Sequence, residues 1–263
     1  MTDFNVEVSS TWMKRILLIS CFLLCVLVTS CINQSRLRLP VMGDHTIMKV
    51  DIDELSGLCF DKTHTGLLAC GDRGVVKSIS FDGEVNEVYA NSSDMEGITV
   101  DPSSGDIYLA VEGKQEIHLL PSPDYSVSEV AFPIMEAVQE NYANDGLEAV
   151  EYYKNNKFFV GSQKFSNIWI CKSNGTVLSK VSLSDFAVEV AGLCYDRETD
   201  WLWVTDSKNY QIYICKVDGT LLAAYDIPFI DNAESICVDR NAGCVWVGSD
   251  EKETKLYRIE FEF

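Results

Sequence analysis

The 263-residue chain is poor in positive charge and histidine, and each shortage closes off a class of function. Lys and Arg number 21 against 40 Asp and Glu, a net charge of −19. A chain this acidic repels phosphate backbones and anionic headgroups, so no nucleic-acid polymer is expected as a partner. It suits a cation instead. Three histidines, His45, His64 and His118, offer no Ser-His-Asp arrangement and no paired zinc-ligand spacing. His45 and His64 fall at a strand edge and in a turn, where they are expected to face solvent. Neither a G-x-S-x-G elbow nor a Walker loop occurs, so an enzyme here would rely on metal-assisted hydrolysis. No C-x-x-C pair is present, so zinc and thioredoxin-type sites are not indicated. Long amphipathic helical patterns are also missing, which disfavours α/β folds.

What is present is a globular composition, 47% hydrophobic and 11% aromatic with five Trp, ample for a sizeable core. The first residues read as an address. Lys14 and Arg15 precede the apolar stretch Ile16 to Val28, whose 13 residues fall short of the about 20 that span a bilayer. Val28-Thr29-Ser30-Cys31 follows and resembles the lipobox of bacterial lipoproteins, which implies acylation of Cys31 as the first mature residue. The reading is therefore a signal peptide over 1–30, with Met13 an alternative start, a lipid-anchored linker over 31–43 and a folded domain over 44–263. The expected location is the bacterial cell envelope, with the membrane as a partner through Cys31.

Three of the ten cysteines, Cys21, Cys25 and Cys31, belong to that address. Among the rest, Cys59, Cys194 and Cys237 recur at one repeat position, and Cys171 and Cys215 share another. Their recurrence inside apolar strand patterns predicts small buried hydrophobes rather than a disulfide framework.

The domain is built of repeats. Aligning on one apolar residue sets ELSGLCFD at Leu58, MEGITVD at Ile98, LEAVEYY at Val150, VAGLCYD at Leu193 and ESICVD at Ile236. The spacings are 40, 52, 43 and 43 residues, the length of a four-stranded propeller blade. The long spacing is accounted for by an inserted, partly helical stretch, Pro133 to Tyr142. Short alternating strands closed by Asp82-Gly83, Asn174-Gly175 and Asp218-Gly219 recur within the units. The last unit ends after its third strand, and Thr46 to Ile52 is predicted to supply the fourth and close the ring. The fold class is all-β, a five-bladed β-propeller.

First strands line the axis of such a ring. Two residues before each aligned apolar position stand Ser56, Glu96, Glu148, Ala191 and Glu234, so three carboxylates and a hydroxyl point at one axis. Glu54 and Glu189 lie two residues earlier in the blades lacking the inner glutamate. Carboxylates ~5 Å apart at an effective dielectric near 20 repel by about 3 kcal/mol, and three such pairs by about 10. Either some are protonated or a cation sits among them. Oxygen donors without His or Cys select Ca²⁺ or Mg²⁺, and Ser56, Glu96, Glu148 and Glu234 form the candidate Ca²⁺ set. The alternative is a wet polar channel whose glutamates bond to backbone amides. A collar at the ends of the second strands, Asp72, Glu112, Gln163, Asp206 and Asp250, is followed by Arg73, Lys114, Lys164, Lys208 and Lys252. Those bases form either an anion-binding rim or inter-blade salt bridges.

The stretches ELSGLCFDKTHTGLL, DMEGITVDPSSGDIYLAVE, NDGLEAVEYY and VAGLCYDRETDWLWVTDS resemble the SdiA-regulated-domain family of bacterial propellers across most of Asp51 to Phe263. They are also similar to phytase-like propellers. The axial series looks like that of calcium-activated nucleotidases, which present Ser, Glu, Glu, Ser and Glu to a central calcium; Ala191 replaces the second serine here. The resemblance implies a propeller fold and an axial Ca²⁺. Three functions follow as expectations: a lipid-anchored binding module for an anionic ligand or partner, a Ca²⁺-dependent phosphoesterase, or a metal-free scaffold for an envelope protein.

Overall fold

The computed structural model describes residues 38–142, 145–251 and 253–263. The signal segment, Cys31 and Lys252 lie outside the described residues. Strands β2 to β5 (Leu55–Phe60, Gly66–Gly71, Val75–Ser80, Val85–Ala90) form the first of five antiparallel sheets. The second holds β6 to β9 (Met95–Val100, Ile107–Val111, Glu116–Leu120, Glu129–Pro133), and the third β10 to β13 (Leu147–Tyr153, Lys157–Ser162, Asn167–Lys172, Val177–Ser182). The fourth holds β14 to β17 (Gly192–Asp196, Trp201–Asp206, Gln211–Lys216, Leu221–Asp226). In the fifth, β18 to β20 (Ala233–Asp239, Cys244–Ser249, Lys255–Glu262) are joined on the outside by β1 (Val41–Lys49). The ring is thus closed by pairing the two ends of the chain, with β1 lying a few residues upstream of the predicted closing segment. Closure leaves no sheet without its fourth strand. It is a five-bladed β-propeller.

Burial follows a strand's place in its blade. Second strands, buried on both faces, read as unbroken apolar runs: GLLACG in β3, WLWVTD in β15 and CVWVGS in β19 are buried throughout. Outer strands such as β13 are almost wholly exposed. The core divides into five clusters, each filling the space between two adjacent blades. Trp169 and Phe158 anchor the interface of blades two and three, and Trp203 and Tyr257 that of blades four and five. Gly83, Gly175 and Gly219 turn the third strand into the fourth with φ of 89°, 78° and 86°. A side chain there would be strained. The insertion between blades two and three carries one short helix, Met135–Gln139. The seven cysteines of the described residues are all free, six of them buried. His45 and His64 are exposed, each stacked on a phenylalanine, Phe229 and Phe60. Among the described residues no helix is long and apolar enough to cross a membrane.

Candidate metal centre

The axial residues share a backbone device. In four blades the pairing of first and second strands slips by one residue, between Leu55 and Gly57, Met95 and Gly97, Leu147 and Ala149, and Ala233 and Ser235. The extra residue of each bulge is Ser56, Glu96, Glu148 or Glu234. A bulge leaves one residue out of the ladder and re-aims its side chain, so these four are turned out of the blade packing. The residue after the bulge must be small. A Cβ on Gly57 would come within 2.9 Å of the Ile98 amide nitrogen, and one on Gly97 within 2.7 Å of that of Val150. Neighbouring first strands therefore close to backbone contact just past the acids, leaving a neck of only about 10 Å³ lined by Ser56, Glu96 and Glu148.

The carboxylates interact strongly. Burial, then Glu148, Asp72 and Asp94, push Glu96 up to about 11. Burial, then Glu112, Glu234 and Glu189, push Glu148 up to about 10. Glu234 rises to about 7 through burial and Glu189, against the pull of Lys208. Glu96 lies within 4.8 Å of Asp94, and Glu148 lies near Glu112, so each of these glutamates meets a carboxylate that disfavours its ionisation. Asp72, which accepts a hydrogen bond from the Ser56 hydroxyl, is raised mainly by burial. Among the described residues, Asp72, Asp94 and Glu96 are the one group whose carboxylate oxygens all lie within 4.8 Å of one another.

Asp94 was not among the residues picked out from the sequence. It occupies the same alignment column as Glu54 and Glu189, four residues before the aligned apolar position, but in a blade that already has an inner glutamate. The signal was therefore present, and extending that column to every blade would have found it. The collar supports this column: the Glu112 amide donates to the Asp94 carbonyl at 3.2 Å, and the Asp72 amide to that of Glu54 at 3.3 Å.

Other expected residues are engaged elsewhere. Glu54 pairs with Arg73 at 2.9 Å, and that hydrogen bond holds its carboxyl below the usual range. Asp206, fully buried, accepts from the amides of Val188 at 2.7 Å and Asn209 at 3.0 Å, capping its own loop. Glu189 accepts from the Ser207 hydroxyl and the Lys208 amide, with the Lys208 ammonium 3.7 Å away. Asp250 is held by Asn232 at 3.2 Å and raised mainly by burial. Glu112 takes the Gly146 amide at 3.1 Å. Of the basic rim, Arg73 and Lys208 are ion-paired, Lys164 lies 4.6 Å from the ring centre of Tyr142, and Lys114 is exposed.

The donor set fits a hard cation. It consists of oxygens alone, and Asp72, Asp94 and Glu96 bring theirs within 4.8 Å of one another.

A propeller whose channel mouth is ringed by bulge-borne carboxylates is the class that fold and site define. Residues 166–263 match the family described as SdiA-regulated, in agreement with the sequence resemblance over that stretch. No curated protein matches significantly in sequence. The structure is similar to that of a gluconolactonase from Xanthomonas campestris, at 11% identity and a TM-score of 0.57, covering 84% of this chain and 91% of that one. A Bacteroides thetaiotaomicron protein of unknown function aligns at 10% identity and a TM-score of 0.57, covering 85% and 77%. A chain of a nidogen/laminin complex aligns at 15% identity and a TM-score of 0.52, covering 80% and 85%. At these identities the likeness establishes the fold alone.

Proposed function

We propose that this propeller is a binding module of the bacterial cell envelope, held by lipid at Cys31, whose acidic channel mouth takes a Ca²⁺ ion that draws an anionic ligand or partner to that face. The carrying observation is the convergence of Asp72, Asp94 and Glu96 with Glu148 and Glu234 at one mouth. Asp72, Asp94 and Glu96 would hold the ion, with Glu148, Glu234 and the Ser56 hydroxyl completing the oxygen set. The bound cation supplies positive charge that the rim does not. A polar cleft of about 850 Å³ on the same face is lined by Asp51, Asp53, Glu54, Asp250, Glu251 and Glu253 against Lys49 and Arg73. An anion approaching that surface meets net repulsion unless the ion offsets it.

Calcium titration by calorimetry, with elemental analysis, tests the metal. One Ca²⁺ per chain, lost with EDTA and abolished by Glu96→Gln with Asp94→Asn, is expected; no binding would refute it and favour the metal-free scaffold. Retention in the membrane fraction, and release by Cys31→Ser, tests the anchor. The hydrolytic alternative, a Ca²⁺-dependent phosphoesterase, rests on exposed Lys114, which follows the collar residue Glu112 in the chain. It requires turnover of phosphate esters that disappears with EDTA and with Glu148→Gln.

A further inference from the structure

The far mouth of the channel holds a carboxyl that the acidic mouth does not use. Three residues beyond the axial series stand Cys59, Thr99, Glu151, Cys194 and Cys237, which all line one pocket of about 290 Å³. First strands run away from the acids, and a neck of about 10 Å³ lies between, so this pocket opens on the opposite face. Four blades place a small thiol or hydroxyl at this position, and the third places an acid. Neither the repeat nor the packing calls for that carboxyl. Glu151 is oriented rather than neutralised. The Thr99 hydroxyl accepts from the Tyr152 amide at 3.0 Å, which turns its own proton toward Glu151 at 3.3 Å. This is the one side-chain hydrogen bond of Glu151 among the described residues, and no base among them is ion-paired with it.

Most other charged groups of the pocket are already engaged. Arg240 pairs with Asp196 at 2.6 Å, and Lys62 donates to the carbonyls of Ser103 and Ser104 at 3.1 and 2.9 Å. Asp61 accepts from the amides of Thr63 and Thr65 at 2.9 and 3.0 Å, and Asp239 from that of Ala242 at 2.9 Å. Glu198 and Arg197 are exposed, and Arg197 lies over the Tyr152 ring, 5.6 Å from its centre. Burial pushes the Glu151 carboxyl up to about 8, and the pull of Arg197 offsets only part of that. A carboxyl set among apolar walls gains most from a cation that brings its own hydrogen-bond donors. We infer that this pocket binds a small protonated amine with an apolar body, its ammonium donating to Glu151. Leu58, Val100 and Val238 line the wall for the hydrocarbon part, beside Phe60, whose ring stacks on that of His64 at 4.8 Å. The volume sits just under the about 300–1,000 Å³ of small-molecule sites, so the occupant is a single ring or a short chain. An anion of the same shape would face Glu151 itself. The site is independent of the acidic mouth.

The test is calorimetry on the full chain with three probes of similar shape: phenethylammonium, neutral phenethyl alcohol and anionic phenylacetate. The amine should bind at least about tenfold more tightly than the alcohol, and phenylacetate should not bind. Glu151→Gln keeps the side chain's shape and an acceptor for Thr99, and should lose about tenfold or more of the amine affinity. Glu198→Gln, at the exposed rim of the same pocket, should bind the amine as wild type does. An amine held no better than the alcohol, a Glu151→Gln chain that binds it like wild type, or an equal loss in Glu198→Gln overturns the proposal. A second readout needs no variant. Cys194 is partly exposed in this pocket, so saturating amine should slow its alkylation, mapped by peptide mass spectrometry; unimpeded alkylation overturns the site.

Discussion

Replacing Glu96 with glutamine should stabilise the cation-free protein, although it removes a candidate ligand. The carboxyl moves from an ordinary 4.5 to about 11 on folding. The folded state therefore binds the Glu96 proton more tightly than the unfolded state does. Between those two values each unit of rising pH costs folding about 1.36 kcal/mol, a loss absent below 4.5. At pH 7 this amounts to about 3 kcal/mol, which a neutral glutamine does not incur. Glu148, the largest charged influence on Glu96, shares the relief, so the figure is a ceiling. The assay is thermal unfolding in EDTA at pH 4.5, 7 and 8. The two proteins should melt alike at the lowest pH, and at pH 7 the variant should melt higher by up to roughly 6–12 °C. Ca²⁺ at 1,000 times its Kd should reverse the order, since it adds about 4.1 kcal/mol to the wild type and far less to the variant. A variant less stable than wild type at pH 7 in EDTA, or a gap that does not change with pH, would mean that Glu96 is already ionised and satisfied by protein.

Calcium binding should release protons and tighten from pH 6 to pH 8, because Glu234 near 7 and the higher Glu96 and Glu148 must ionise to coordinate. Calorimetry in two buffers of different ionisation enthalpy measures the release, and identical heats would contradict it. Gly97→Ala should destabilise by about 1–3 kcal/mol in urea melts, since its Cβ meets backbone atoms 2.7 Å away that cannot swing aside. Arg240→Met should cost about 3–5 kcal/mol at neutral pH, because it strips the buried Asp196 carboxylate of a partner 2.6 Å away.

Much of the molecule was legible in the linear pattern because the relevant forces are local. Alternation of apolar residues, Asp-Gly turns and a repeat near forty residues report strand length and turn geometry, and they marked out all five blades. Ser56, Glu96, Glu148 and Glu234 could be found by column. The aim of their side chains could not, because a bulge depends on how the second strand pairs and leaves no mark in the first strand's composition. Asp94 shares the column of Glu54 and Glu189 but stands in a blade that already carries an inner glutamate, so the pattern of missing glutamates does not single it out. The recurrence of Arg73, Lys164 and Lys208 left two readings open, an anion-binding rim or salt bridges between blades; the structure pairs Arg73 and Lys208 with carboxylates and sets Lys164 against an aromatic ring.

The amino-acid sequence by itself determined five blades, their order, the closing partnership of the chain's two ends and a carboxylate supply far in excess of positive charge. These follow from side-chain periodicity and turn sterics, which act over a few residues and are repeated in every unit. Tertiary structure alone decided which acids face one another at one mouth and which are tied up in their own loops. It also brought Glu151, Cys59, Cys194 and Cys237 to one pocket at the other mouth. Those outcomes depend on distance through space and on desolvation, and residues more than a hundred positions apart acquire both only when the ring closes.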